Sequence, residues 1–256
     1  MLVNIIIIFI SGLIVGSFLN VCIYRLPRGK NIVWPPSHCP NCDIKIKLYE
    51  NIPVFSYFFL KGKCSNCAEK ISVRYPGVEL LTGLLFVLIP AISGFWLWDL
   101  RFYFSAIFIS FLIINFFSDI ETELIPDSPV YIIIFLGLFY GFIKGDMFSS
   151  FIGAILGFCL LHTISFLGKF FYKKDVLGDG DIKLAAAFGS FLGWQGLLPA
   201  LMLGYIIGGA VSIILILTKT KKLKDYIPFA PALTLGTLIT LFYGSYIINF
   251  YVANFL

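Results

Sequence analysis

Two groups of side chains in this sequence have types and spacings suited to chemistry. The first is acidic: Asp119-Ile120-Glu121-Thr122-Glu123-Leu124-Ile125-Pro126-Asp127, and, further on, Leu177-Gly178-Asp179-Gly180-Asp181-Ile182-Lys183. Both clusters border apolar runs, where an ionisable group is costly unless it faces a partner or a wet cavity. Two carboxylates held close cannot both ionise cheaply, so one keeps a proton and the pair can serve as base and acid on a water molecule. That is the chemistry of peptide hydrolysis. Gly178 and Gly180 flank a turn and allow backbone or substrate to approach Asp181. A helix starting there favours a negative charge on Asp181. Asp127-Ser128-Pro129 reads more simply as a helix start, with capping favoured over catalysis. Glu121 and Glu123 read as solvated loop residues. Asp175, Asp179 and Asp181 lack the glycine spacing and the distal glutamate of a calcium loop.

The second group is two Cys-x-x-Cys pairs, Cys39/Cys42 and Cys64/Cys67, with 21 residues between them. Two such knuckles close a tetrahedral S4 site for zinc. Pro40, Asn41, Ser65 and Asn66 are turn formers suited to that geometry. Disulfides are the competing reading, and a cytoplasmic placement argues against them. Cys22 and Cys159 lie in apolar runs and read as small buried hydrophobes. His38, beside four thiolates, reads as a loop residue.

The elements that must position these groups are membrane helices. Of 256 residues, 59% are hydrophobic and 13% charged, and the mean hydropathy is +0.94. A water-soluble surface does not carry such a composition. Apolar runs predict an all-α polytopic membrane protein with about eight transmembrane helices, at 2–24, 77–98, 101–118, 129–143, 148–168, 182–198, 199–217 and 227–254. The opening run has no basic leader and no cleavage site, so it reads as a retained helix. The net charge of +5 reflects topology rather than nucleic acid. With the N-terminus outside, 17 of the 19 Lys and Arg lie inside, and Arg101 and Lys144 alone lie outside, as the positive-inside rule requires. The chain then divides into a first helix (1–24), a cytoplasmic tetracysteine loop (25–76) and a helix bundle (77–256). A loop so short has little core, and metal would supply its folding energy.

Several blocks in order resemble the bacterial type IV prepilin peptidase and N-methyltransferase family: Gly12 to Pro27, the two Cys-x-x-Cys pairs, Asn51 to Val54, Ile71 to Gly83, Asp119 to Asp127 and Gly178 to Gly193. The resemblance covers nearly the whole chain. It implies an aspartyl protease of the inner membrane whose catalytic pair is Asp119 and Asp181, 62 residues apart, facing the cytoplasm. It implies that the cysteines bind zinc. It also implies two reactions on prepilins or pseudopilins: removal of a short basic leader after its glycine, and methylation of the new N-terminal residue, usually Phe, from S-adenosylmethionine. No glycine-rich nucleotide fingerprint marks a methyl-donor site. The resemblance attaches methyl transfer to the loop, with Glu79 as the candidate cofactor-binding residue. An ion-coupled transporter and a membrane scaffold are the rival classes. Transport acids lie nearer the bilayer midplane, and a scaffold leaves the acid clusters idle.

Overall fold

The computed structural model describes residues 1–173, 177–222 and 227–255, so Asp175 lies outside the described residues. The described chain is helical: α1 (Leu2–Arg25), α2 (Phe55–Phe59), α3 (Arg74–Leu88), α4 (Leu100–Thr122), α5 (Asp127–Lys144), α6 (Met147–Tyr172), α7 (Asp179–Leu217) and α8 (Ala230–Phe255). Seven elements, all but the short α2, are long and apolar enough to cross a membrane. The apolar runs predict about eight, and α7 accounts for the difference. Its 39 residues would reach about 58 Å at 1.5 Å per residue, about twice the hydrocarbon thickness. Gly193 interrupts it with φ 73° and ψ 172°, a conformation essentially reserved for glycine. The break expected between residues 198 and 199 therefore falls at Gly193. Apolar residues on both sides hide it, while Pro199 sits within the helix.

Three further boundaries move. The third predicted span stops at 118, but α4 runs on through Asp119 to Thr122, because the short polar tail continues the helical turn. The second ends early: after α3, a π turn over Ile89–Ser93 closes on Gly94, whose φ of 71° ends the helix. Asp127 is the first residue of α5, with Pro126 before it and no side-chain cap. The capping role expected of Asp127 is replaced by an ion pair.

The chain forms two compact units, residues 1–114 and 115–256. In the first, α1 packs on α3 through glycines. A Cβ at Gly12 would lie 2.7 Å from Gly83 Cα, and one at Gly16 would lie 2.7 Å from Glu79 Cα. Small residues bring the backbones together where lipid offers no hydrophobic drive. In the second unit, α6 and the first arm of α7 meet at Gly153, Gly157 and Gly189, and the second arm meets α8 at Gly204 and Gly236. Gly209 faces open space instead. Cys22 is buried as expected, whereas Cys159, expected to be buried, is exposed on α6.

Candidate active site and metal centre

Asp119 and Asp181 both belong to the second unit. Asp119 is on the last turn of α4 and Asp181 on the first turn of α7. They are 2% and 3% exposed, and their carboxyl groups interact electrostatically. Carboxyl groups are almost never buried this far without partners. Asp119 Oδ2 accepts a hydrogen bond of 3.1 Å from the backbone N–H of Ala230, the first residue of α8. The first N–H groups of a helix have no intrahelical partner, so Asp119 satisfies one of them and sits at the positive end of the α8 dipole. Asp181 Oδ1 is buried with no hydrogen-bond partner among the described residues. Tyr205, on the second arm of α7, interacts electrostatically with Asp181 and packs its ring on Phe229.

The two glycines near Asp181 differ. A Cβ on Gly180 would press on Ile125 at 2.9 Å, whereas one on Gly178 would meet Asp181 Oδ2 at an ordinary 3.5 Å. Gly180 thus lets α7 approach the segment between α4 and α5. Asp127 Oδ1 takes a 2.7 Å hydrogen bond from Lys183 Nζ, tying the start of α5 to the first turns of α7. Sequence reasoning misses the Ala230 N–H and Tyr205. The N–H lies 111 residues from its carboxylate, and no local signal distinguishes Tyr205 from other tyrosines of the apolar helices.

The four cysteines of the first unit converge. Their sulfurs lie within 4.8 Å of one another, with Cys39–Cys67 at 3.8 Å and Cys42–Cys64 at 4.0 Å. A tetrahedral site with Zn–S bonds of about 2.3 Å places its sulfurs about 3.8 Å apart. The two knuckles repeat one construction. His38 bridges Lys45 and Lys63 bridges Lys70, and the chain turns over at Asp43 (φ 54°) and Ala68 (φ 57°). Cys39 N–H bonds Ile44 O, and Cys64 N–H bonds Glu69 O. Backbone N–H groups of Cys67 and Asn66 point at Cys64 and draw its thiol down to about 7. Those of Asn41 and Cys42 act likewise on Cys39, but burial and the neighbouring thiols of Cys42 and Cys64 prevail and push it up to about 11. N–H groups aimed at sulfur stabilise the thiolate a metal requires. The donor set and spacing fit a divalent S4 metal.

Glu79 lies on α3, 8% exposed. Its Oε2 accepts the Val54 N–H at 2.7 Å, so it ties the loop to the helix. It lines a cavity of about 420 Å³ between the tetracysteine loop and helices α1 and α3.

Comparison with known proteins gives two family matches. Residues 10–92 match the bacterial peptidase A24 N-terminal domain, and residues 106–213 match the type IV leader peptidase family. A prepilin leader peptidase/N-methyltransferase of Neisseria gonorrhoeae is 36% identical over 89% of this chain and 86% of its own length. The chain belongs to the type IV leader peptidase family. Proteins of the same description from Aeromonas hydrophila and Pectobacterium carotovorum subsp. carotovorum are 33% and 34% identical, over 97% and 89% of this chain and 94% and 88% of their own lengths. No solved structure matches the chain. Within this family assignment, the N-terminal match ends on the helical turn that follows α3, and the peptidase match contains both buried aspartates.

Proposed function

We propose that the chain is a bifunctional prepilin peptidase of the bacterial inner membrane, with Asp119 and Asp181 as its catalytic pair. The observation that carries this reading is the burial of two interacting carboxylates at one place in an apolar bundle. One member of the pair, ionised, takes a proton from water as the water oxygen attacks the scissile carbonyl, and the other, protonated, gives its proton to the departing amine as the C–N bond breaks. The Ala230 N–H holds Asp119 in place, and Asp181 Oδ1, without a partner among the described residues, is the acceptor left for water or substrate. The substrate is a prepilin or pseudopilin whose short basic leader is removed ahead of its hydrophobic helix.

The loop over 25–76 is assigned to methylation of the new N-terminus, with S-adenosylmethionine as donor. Cys39, Cys42, Cys64 and Cys67 would hold a structural zinc that folds it. Bound by those four thiolates, zinc would supply cross-linking rather than catalysis. The charge asymmetry supports an N-terminus outside and an acid pair at the cytoplasmic face. Incubating the purified enzyme in detergent with a synthetic prepilin and S-adenosylmethionine tests the reading. The expected product begins at the residue after the leader glycine and carries one methyl group. An intact prepilin would contradict it.

A further inference from the structure

The cavity of about 420 Å³ in the first unit is lined by Asn20 and Ser17 from α1, Glu79 from α3, and loop residues including Tyr57, Leu60 and Ile71. Its size is that of a small-ligand site, and its lining mixes apolar side chains with polar groups. Two of those groups are unusual. Glu79 is buried, and its carboxylate is held by the Val54 N–H and the Ser17 hydroxyl. Two donors leave about half of its acceptor capacity open.

Asn20 is the other. It is 2% exposed, and its Nδ2 donates to Tyr75 O at 3.0 Å and Gly16 O at 3.3 Å. Two carbonyls on one side of the amide fix its orientation, and Oδ1 is left buried without a donor among the described residues. A buried acceptor left unmade costs about 1–3 kcal/mol. Arg25, which also lines the cavity, turns its guanidinium to the carbonyls of Asn31, Ile32 and Pro35. Among the buried groups where α1 and α3 wall the cavity, the open polar capacity therefore lies on two acceptors, the Glu79 carboxylate and Asn20 Oδ1. That suits a ligand that brings N–H groups and an apolar body.

We propose that this cavity receives the α-amine of the N-terminal residue to be methylated, with Glu79 accepting the proton that amine must lose and Asn20 Oδ1 orienting it. The inference rests on the methyltransferase reading above. The amine nitrogen's lone pair attacks the methyl carbon of a sulfonium donor, forming the C–N bond as the C–S bond breaks. The electron pair of that bond stays on sulfur, which becomes a neutral thioether. The proton released from nitrogen passes to the Glu79 carboxylate. The apolar wall at Leu60 and Ile71 takes the side chain of the terminal residue.

The test uses the full-length enzyme in detergent with a pre-cleaved pilin bearing a free N-terminus. Methylation is scored by mass spectrometry, leader cleavage is measured separately, and donor binding is followed with S-adenosylhomocysteine. Glu79→Gln is expected to lower the methylation rate constant by about 10²–10⁴-fold, the worth of a general base. Cleavage and S-adenosylhomocysteine affinity should stay near wild type, and Glu79→Asp should restore part of the rate. Asn20→Ala is expected to raise the KM for the pilin and not that for the donor. In the wild-type protein, carbodiimide labelling of Glu79 should be blocked by a peptide with a free N-terminal amine and not by S-adenosylhomocysteine. Unchanged methylation in Glu79→Gln would overturn the proposal, as would equal loss of both activities. Protection of Glu79 by S-adenosylhomocysteine alone would make the cavity the donor site and also overturn it. A wild-type enzyme that cleaves and never methylates would instead sink the methyltransferase reading.

Discussion

Asp119 Oδ2 accepts the backbone N–H of Ala230 at 3.1 Å, across 111 residues of chain. One carboxylate is thereby both a candidate catalyst and the acceptor for the start of α8, so the last helix sets its orientation. Ala230→Pro isolates this link. Proline is tolerated in the first turn of a helix but carries no N–H. Losing a hydrogen bond to a charged group is worth about 1.5–3 kcal/mol. Leader cleavage should therefore fall by about 10–100-fold while the protein still accumulates in the membrane. Wild-type turnover in a prepilin cleavage assay would show that the N–H does not position Asp119.

The glycines of the second acidic cluster should separate. Gly180→Ala brings a Cβ within 2.9 Å of Ile125, and should depress cleavage strongly although alanine is the better helix former. Ile125→Ala, combined with it, should recover part of the loss, as contacting residues do in a double-mutant cycle. Gly178→Ala meets only an ordinary contact and should cleave at close to the normal rate. Equal loss in both alanine variants would point to backbone freedom as the reason for the glycines.

Asp127→Asn should keep most activity. The Lys183–Asp127 pair is partly exposed, and such pairs contribute about 0–1 kcal/mol. Cleavage kinetics of Asp127→Asn and Lys183→Ala check this. A collapse in the first alone would give Asp127 a role in the chemistry.

Elemental analysis of the purified protein should find one zinc per chain, lost when Cys39, Cys42, Cys64 or Cys67 is replaced by Ser. At neutral pH iodoacetamide should spare the four cysteines in the protein as purified and modify all of them after chelation, which frees and unfolds the loop. The thiolate is the reactive form. Peptide mapping reads the labelling, and equal modification with and without chelation would contradict metal ligation by the four cysteines.

Zinc removal should separate the two activities. On the proposed reading the loop would depend on metal for its fold, whereas the bundle that holds the aspartates is packed helix on helix through Gly153, Gly189, Gly204 and Gly236. Replacing Cys64 and Cys67 should reduce methylation of a supplied mature N-terminus strongly and slow leader cleavage less. Equal losses in a monodisperse protein would place the loop in the protease's own substrate site.

The acid clusters and the cysteine pairs are legible in the sequence because each is a local pattern of a few residues. The helices are legible because lipid demands long apolar runs. What escapes is set by geometry between distant segments. The polar tail Asp119–Thr122 resembles a loop, yet it completes α4. The apolar pattern puts the break in α7 just before Pro199, but the positive φ falls at Gly193. The Asn20–Tyr75 and Asp119–Ala230 hydrogen bonds join residues 55 and 111 apart. No spacing rule reaches that far.

The most direct test of the central claim is cleavage of a synthetic prepilin by purified Asp119→Asn and Asp181→Asn, each verified as inserted and monodisperse. Asparagine keeps the shape of the side chain and removes its capacity to exchange a proton. Members of a catalytic set that act as a unit lose rate together, by about 10⁴-fold or more. Both variants should leave the prepilin intact over times in which the wild-type enzyme processes all of it. Near wild-type cleavage by either one would remove that aspartate from the mechanism and contradict the assignment of the pair.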